Sequence, residues 1–386
     1  MKYIYADYAA TTPADKRVIK LASAYFSKKF GNPSSSHALG IEAKEAIMES
    51  RLKVADFFNC DPEEVVFTSG GTESENLAMK GIAFSNRKYG KHIIISTIEH
   101  AAVESSANFL EKQGFQVTRI PVGRSCIVDV KAVESSIRDD TTLISIMYVN
   151  NEIGSIQPIT EISAMLKRVN LERQKIGKHP VRFHVDGEAG SIYLDYDVNV
   201  LGVDSISING SKVYSLKGAS ALCVRKGVGV ATQICGGGQE FMFRGGTENV
   251  PAAVALGEAL SIAKRERIQN NERILSIKNK LITELKDDIP RIKINTPLSS
   301  APNIVHVSFL GYQKTDIVSK LSAVGVYVSN GSACASNKKE EKSRVMQAMG
   351  FNEDEMDMSV RFSLGKFNRK SDVRRIANAL KRILNI

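Results

Sequence analysis

Apolar and polar positions follow two alternating periods along most of this chain. Residues 64–68 read as a strand that runs into Ser69-Gly70-Gly71-Thr72-Glu73-Ser74-Glu75-Asn76, a turn opening a helix. Residues 92–96 form a nearly continuous apolar run, as expected of a parallel strand covered on both faces. A helix is predicted from about 100 to 112, then a strand over 115–121, a helix near 130–137 and a strand over 142–149. A helix near 159–169 and a strand over 181–186 follow. Residues 205–209 alternate, with Ile206 and Ile208 on one face and serines on the other, and lead through a turn at Asn209-Gly210 to Lys212. Regular alternation of strand and helix, without repeats or low-complexity linkers, predicts an α/β fold with a mainly parallel sheet covered by helices.

After Asn249 the pattern changes. Residues 251–288 are helical in period and rich in Ala, Leu, Lys and Glu, and are expected to form one long or broken helix. Shorter strands are predicted at 304–309 and near 326–328. A last helix is expected to start at Ser371 as its N-cap, with Val373, Ile376, Leu380, Ile383 and Leu384 on one face. The expected division is a large domain over 12–254 and a smaller α+β domain made of 1–11 and 255–386.

Composition narrows the class. The 386 residues are 43% apolar, enough for a substantial core. No apolar run approaches the roughly 20 residues that span a bilayer, and the start has no signal-like stretch, so a soluble cytoplasmic protein without membrane contact is expected. Five scattered cysteines argue against a disulfide framework, and with six scattered histidines they suggest no metal cluster. The formal charge of +10 is spread through helical stretches, which points to solvated helix faces and against direct nucleic-acid binding.

Several residues carry chemistry. Lys212 stands at the C-terminal end of a strand, where α/β sheets bind ligands and where a lysine can form a Schiff base with an aldehyde cofactor. Gly71 and Thr72 open a helix whose N–H groups suit a phosphate, or else form an ordinary turn with Thr72 as N-cap. Asp186 ends a strand at the same edge, placed to hold a protonated ring nitrogen or simply to cap a turn. His100 is placed to stack on a ring and move protons, or only to start a helix. Cys334 lies in a small, polar stretch beside Lys338 and Lys339, the best nucleophile candidate of the five, whereas Cys223 sits in an apolar run. Arg361 interrupts an apolar run, as a fork for a substrate carboxylate or as half of an ion pair.

Taken in order, the chain resembles the pyridoxal-phosphate-dependent cysteine desulfurases of the NifS/IscS-like group, class-V aminotransferases on the aspartate-aminotransferase type fold (PLP fold type I, with a seven-stranded sheet). The resemblance runs through Tyr8-Ala9-Ala10-Thr11-Thr12-Pro13, Gly31-Asn32-Pro33-Ser34-Ser35, Thr68-Ser69-Gly70-Gly71-Thr72-Glu73-Ser74 and Glu99-His100. It continues through Asn150-Asn151-Glu152-Ile153-Gly154, Arg244-Gly245-Gly246-Thr247-Glu248-Asn249, Gly331-Ser332-Ala333-Cys334 and Arg361-Phe362-Ser363-Leu364-Gly365. It implies pyridoxal 5'-phosphate on Lys212, with Asp186 at the ring nitrogen, His100 stacked on the ring, and Gly71, Thr72, Asn209 and Ser211 around the phosphate. It further implies a homodimer in which Thr247 reaches the other subunit's cofactor, Asn151 and Arg361 on the carboxylate of L-cysteine, and Cys334 as the sulfur carrier. The product is alanine, and the sulfur passes to an acceptor protein, for Fe–S assembly, tRNA thiolation or DNA phosphorothioation.

Two departures stand out against the resemblance. Ala189 stands where the family has a glutamine on the cofactor hydroxyl, and Asn209-Gly210-Ser211 replaces a Ser-x-His that holds phosphate. Weaker cofactor retention is therefore expected. Two other readings keep the fold: a selenocysteine or cystine lyase that does not need Cys334, and a degenerate, partner-activated homologue serving as a scaffold.

Overall fold

The computed structural model describes residues 3–330 and 342–386. Cys334 lies outside the described residues. The central sheet has seven strands in the spatial order Val65–Thr68, Ser220–Val224, Ser205–Asn209, Arg182–Val185, Thr141–Ser145, His92–Ser96 and Gln116–Ile120. The last five are mutually parallel, and Ser220–Val224 runs antiparallel to both of its neighbours. The exception has a local cause: the short connection from Asn209 to Ser220 leaves no length for the crossover that a parallel pair requires.

The continuous apolar runs are explained by burial on both sides. Ile93 and Ile95 face a core with Leu77, Val103 and Leu110, while Ile94 faces the opposite core with Ile162 and Leu260. The strand Ser205–Asn209 forms as expected, and both of its faces are buried. Its serine face is as buried as its isoleucine face: Ser205 meets the His184 ring at 2.9 Å, and the Ser207 hydroxyl accepts from the Gly187 N–H at 3.2 Å. Alternation here separates an apolar core from a buried polar layer, rather than core from solvent.

A three-stranded antiparallel sheet (Ile292–Ile294, Ile304–Phe309, Ser359–Ser363) and the parallel pair Ile4–Tyr5 with Val326–Tyr327 build a second core. The helix Val250–Asp288 is unbroken over 39 residues. Val250, Ala253 and Val254 pack in a small cluster with Ala43, Ala46 and Ile47, residues from Ala255 to Ala263 pack in the first core, and those from Ile274 to Leu285 in the second. One helix therefore contributes to both cores. Gly257 lets it approach the helix Ala38–Phe58 closely, since a Cβ there would stand 2.9 Å from the Ser50 carbonyl. The last helix, Lys370–Leu384, starts earlier than expected. Asp372 accepts from the Arg369 N–H at 2.9 Å, so Arg369 is the N-cap and Ser371 lies inside the first turn. Among the described residues, no helix is long and apolar enough to cross a membrane.

Candidate active site

The C-terminal ends of the parallel strands deliver the predicted residues to one edge. His100 follows the strand His92–Ser96, Asp186 follows Arg182–Val185, Asn151 lies beyond Thr141–Ser145, and Lys212 lies beyond Ser205–Asn209. A cavity of about 620 Å³ opens there, and its wall includes Lys212, His100, Asp186, Asn151 and Arg361. Ala189 also lines it.

Each side chain is held by local structure. Asn209 caps the short turn Gly210–Lys212, accepting from the Ser211 N–H at 3.0 Å. A Cβ on Gly210 would lie 2.4 Å from the Ala219 carbonyl, so the turn needs glycine. The Lys212 Nζ donates to the carbonyls of Ala9 and Ala10 at 2.8 and 2.6 Å, which brings the N-terminal segment into the site. His100 is the N-cap of the helix Ala101–Lys112. Its Nδ1 accepts from the Ala102 N–H at 3.2 Å, so the neutral ring carries its proton on Nε2. Asp186 is buried and accepts from the Glu188 N–H at 3.0 Å. Arg361 is only 1% exposed; its guanidinium meets Asp7 at 2.7 Å and the Asn151 carbonyl at 2.9 Å. The ion-pair reading of Arg361 is thus present, on a residue that also faces the cavity.

Gly71 is the first residue of the helix Gly71–Asn86, with Gly70 as its N-cap, so Thr72 is not the cap. The N–H groups of that first turn have no intrahelical acceptor. Thr72 is exposed, and the carbonyl of Ser211 accepts from the Thr12 N–H and hydroxyl at 2.7 and 2.9 Å. Thr247 is not brought to Lys212 of its own chain. It lines a separate cavity of about 240 Å³ with Thr68, Ser69 and Arg244. Its segment is anchored by a buried ion pair. Glu240 takes two bonds from Arg51, at 2.7 and 2.8 Å, and a third from the Phe67 N–H at 2.8 Å. Arg51 also donates to the Val65 carbonyl and lies 4.9 Å from the ring centres of both Phe67 and Phe241. Glu240, Phe241 and Met242 all adopt left-handed backbone conformations.

Sequence reasoning missed the buried acids of this site. Glu75, on the helix Gly71–Asn86, is pushed well above the ordinary carboxylate range by burial and by Asp186, and meets His184 at 2.9 Å. Burial holds His184 down at about 4, so it is neutral there. Glu99 accepts from the Ser96 hydroxyl and, at 3.2 Å, from the Met147 N–H; burial pushes its carboxyl up to about 8. Glu188 also lines the cavity and is pushed up to about 8, by burial first and then by Asp186 and Glu75. Glu152 accepts from the Ser343 hydroxyl at 2.5 Å and is likewise raised by burial. The one available signal was acidic residues inside otherwise small or apolar runs, as in Ser74-Glu75 and Asp186-Gly187-Glu188-Ala189.

The chain on both sides of residues 331–341 is tied to this cavity. Ser329 and Arg361 exchange two backbone bonds, at 2.7 and 3.3 Å. Lys342 and Arg344 line the wall, and Arg344 donates to the Glu99 carbonyl at 3.3 Å.

Comparison with known proteins places this arrangement. The family model for class-V aminotransferases matches residues 4–376. Cysteine desulfurase IscS of Dictyoglomus turgidum is 40% identical over 382 residues, covering 99% of this chain and 94% of that protein. A solved NifS-like protein superimposes with a TM-score of 0.91 at 33% identity, covering 99% of each chain. SspA in complex with cysteine superimposes at 0.81 with 33% identity, covering 94% of this chain and 98% of the other. The fold is therefore PLP fold type I, and the chain belongs to the class-V aminotransferase family, alongside its NifS- and IscS-like members.

Proposed function

We propose that this protein is a cysteine desulfurase, which takes L-cysteine, releases L-alanine and keeps the sulfur as a persulfide on Cys334 for an acceptor protein. One juxtaposition carries the reading: Lys212, Asp186 and Arg361 face a single cavity, and the chain leaves and re-enters the segment containing Cys334 at that cavity's wall. The relatives named cysteine desulfurase, which match nearly the whole chain, support it.

The donor set fits pyridoxal phosphate. An amine and a buried carboxylate line the cavity, and Glu188 on its wall has its Oε1 buried with no partner among the described residues, against Gly71 at the start of the helix Gly71–Asn86. Asp186 would hold the ring nitrogen. Gly71, Thr72, Asn209 and Ser211 would hold the phosphate, with Thr247 serving the second copy's cofactor in a homodimer. When bound, the cofactor supplies an aldehyde for an amine and a ring that withdraws electrons from the neighbouring carbon.

The chain's own residues do the rest. Arg361, kept rigid by Asp7, binds the substrate carboxylate with Asn151. Lys212, located by the carbonyls of Ala9 and Ala10, takes the proton from the substrate α-carbon. His100 moves a proton at Nε2. The Cys334 thiolate forms a bond to the substrate sulfur as the carbon–sulfur bond breaks; the electron pair stays with carbon, and protonation there completes alanine. The intact mass of the cofactor-loaded protein after brief exposure to L-cysteine, with peptide mapping, tests this. Sulfur added at Cys334 together with alanine is the expected result. Alanine formed at an undiminished rate by a Cys334→Ser variant would favour a lyase instead.

A further inference from the structure

The site holds more carboxylate than the proposed reaction uses. Glu75, Asp186 and Glu188 bring carboxylate oxygens within 4.8 Å of one another. Like charges that close in a buried site do not all ionise. Glu75 is engaged from behind by His184, whose other ring nitrogen meets Ser205 at 2.9 Å. Glu75 Oε1, like Glu188 Oε1, is buried without a partner among the described residues, but of the two acids only Glu188 lines the cavity. Its Oε2 accepts from the Asn209 amide at 3.1 Å, while its Oε1 is buried without a partner among the described residues. A Cβ built on Gly71 would lie 1.5 Å from that Oε1. The free oxygen of Glu188 therefore stands over the first residue of the helix Gly71–Asn86, and only glycine at 71 leaves it room.

The groups around Glu188 come from every element packed on it. Asp186 and Glu75 oppose its ionisation, whereas His100 and the Asn209 amide favour it; Lys212 and Glu99 stand on the same cavity wall. Burial acts with Asp186 and Glu75 against His100 and Asn209, and moves its titration up to about 8. An ionised Glu188 would repel a phosphate dianion, while a protonated one is a hydrogen-bond donor facing it.

We propose that Glu188, as a neutral carboxylic acid, donates a hydrogen bond to the cofactor's phosphate beside the N-terminus of the helix Gly71–Asn86. The inference rests on the reading that pyridoxal phosphate occupies the cavity. It makes cofactor retention fall as pH rises through the titration of Glu188. Glu188→Gln keeps a neutral donor at every pH and still accepts from Asn209, so it abolishes that dependence. Lys212 and the phosphate titrate equally in both proteins and cancel in the comparison.

The test is the Kd of the full-length apoprotein for pyridoxal phosphate between pH 6.5 and 9.5, read from the absorbance of bound cofactor. Wild type, E188Q and E188A are compared. The ratio of the wild-type Kd to the E188Q Kd is expected to grow by at least about tenfold across that range. At pH 6.5, E188A should bind more weakly than wild type, which keeps the test decisive if E188Q does not fold. A flat ratio, or an E188A protein that binds as well as wild type, overturns the inference while leaving the cofactor reading intact. No binding by wild type at any pH overturns both. Thermal stabilisation of the wild-type apoprotein by Ca²⁺ or Mn²⁺, lost in E188Q, would also overturn it, because the three carboxylates would then be an ionised cation site.

Discussion

Glu240→Gln should destabilise the protein far more than its isosteric change suggests. The Arg51–Glu240 pair is almost dry, with side chains 5% and 3% exposed, and its two parallel bonds measure 2.7 and 2.8 Å. Removing one charge leaves the Arg51 guanidinium buried between two phenylalanine rings without its counter-ion. Breaking a buried pair in this way costs about 3–5 kcal/mol. The three consecutive left-handed residues at 240–242 lose the anchor that holds them there. Against a total stability on the order of 5–15 kcal/mol, this is a large fraction. The assay is urea unfolding of cofactor-saturated protein at one fixed protein concentration, since both ligand and self-association shift the midpoint. Arg51→Met combined with Glu240→Met removes both charges and should recover at least half of the loss. A cost for Glu240→Gln below about 1 kcal/mol, or a double variant no better than the sum of the singles, would refute the reasoning.

Lys212→Ala should abolish covalent trapping of the cofactor by borohydride and lower turnover by at least about 10²-fold, measured as alanine formed. Ala189→Gln should restore a polar contact in the cavity wall and tighten pyridoxal phosphate by about 1 kcal/mol, roughly fivefold in Kd by equilibrium dialysis. Glu99 has a folded-state pKa of about 8, above its ordinary value, so its contribution is fully present at low pH and is lost as pH rises from about 4.5 to 8. Glu99→Gln should therefore match wild-type stability near pH 5 and exceed it increasingly by pH 8.5 in thermal melts of the apoprotein; parallel curves would contradict this.

The strands were legible because burial on both sheet faces leaves a run such as Ile93-Ile94-Ile95, which few other environments explain. Lys212, His100 and Asp186 were legible because the ends of such strands meet at one edge, so position along the chain translates into position in space. Glu75 and Glu188 were not, because their meaning lies in convergence: each looks like an ordinary polar residue near a turn or helix start until the fold brings them together around Asp186. The burial of Ser205 and Ser207 was not legible for a related reason. Alternation reports two unlike faces, but not whether the polar one meets water or a buried histidine. The change in composition after Asn249 does not interrupt the long helix that begins there. After Gly257 this stretch contains no glycine or proline to break it.

That continuous helix governs how the molecule can move. At 1.5 Å per residue its 39 residues make a strut of ~58 Å, with its first part embedded in one core and its last in the other. A hinge between the two halves would have to bend this strut and stretch its internal hydrogen bonds, and it contains no interior proline beyond its first turn to ease the bend. Substrate entry must then be accommodated by side chains and short loops, without a clamshell closure of one half on the other. The same strut transmits loss of structure from either core to the other, so heating should melt the protein in a single cooperative step.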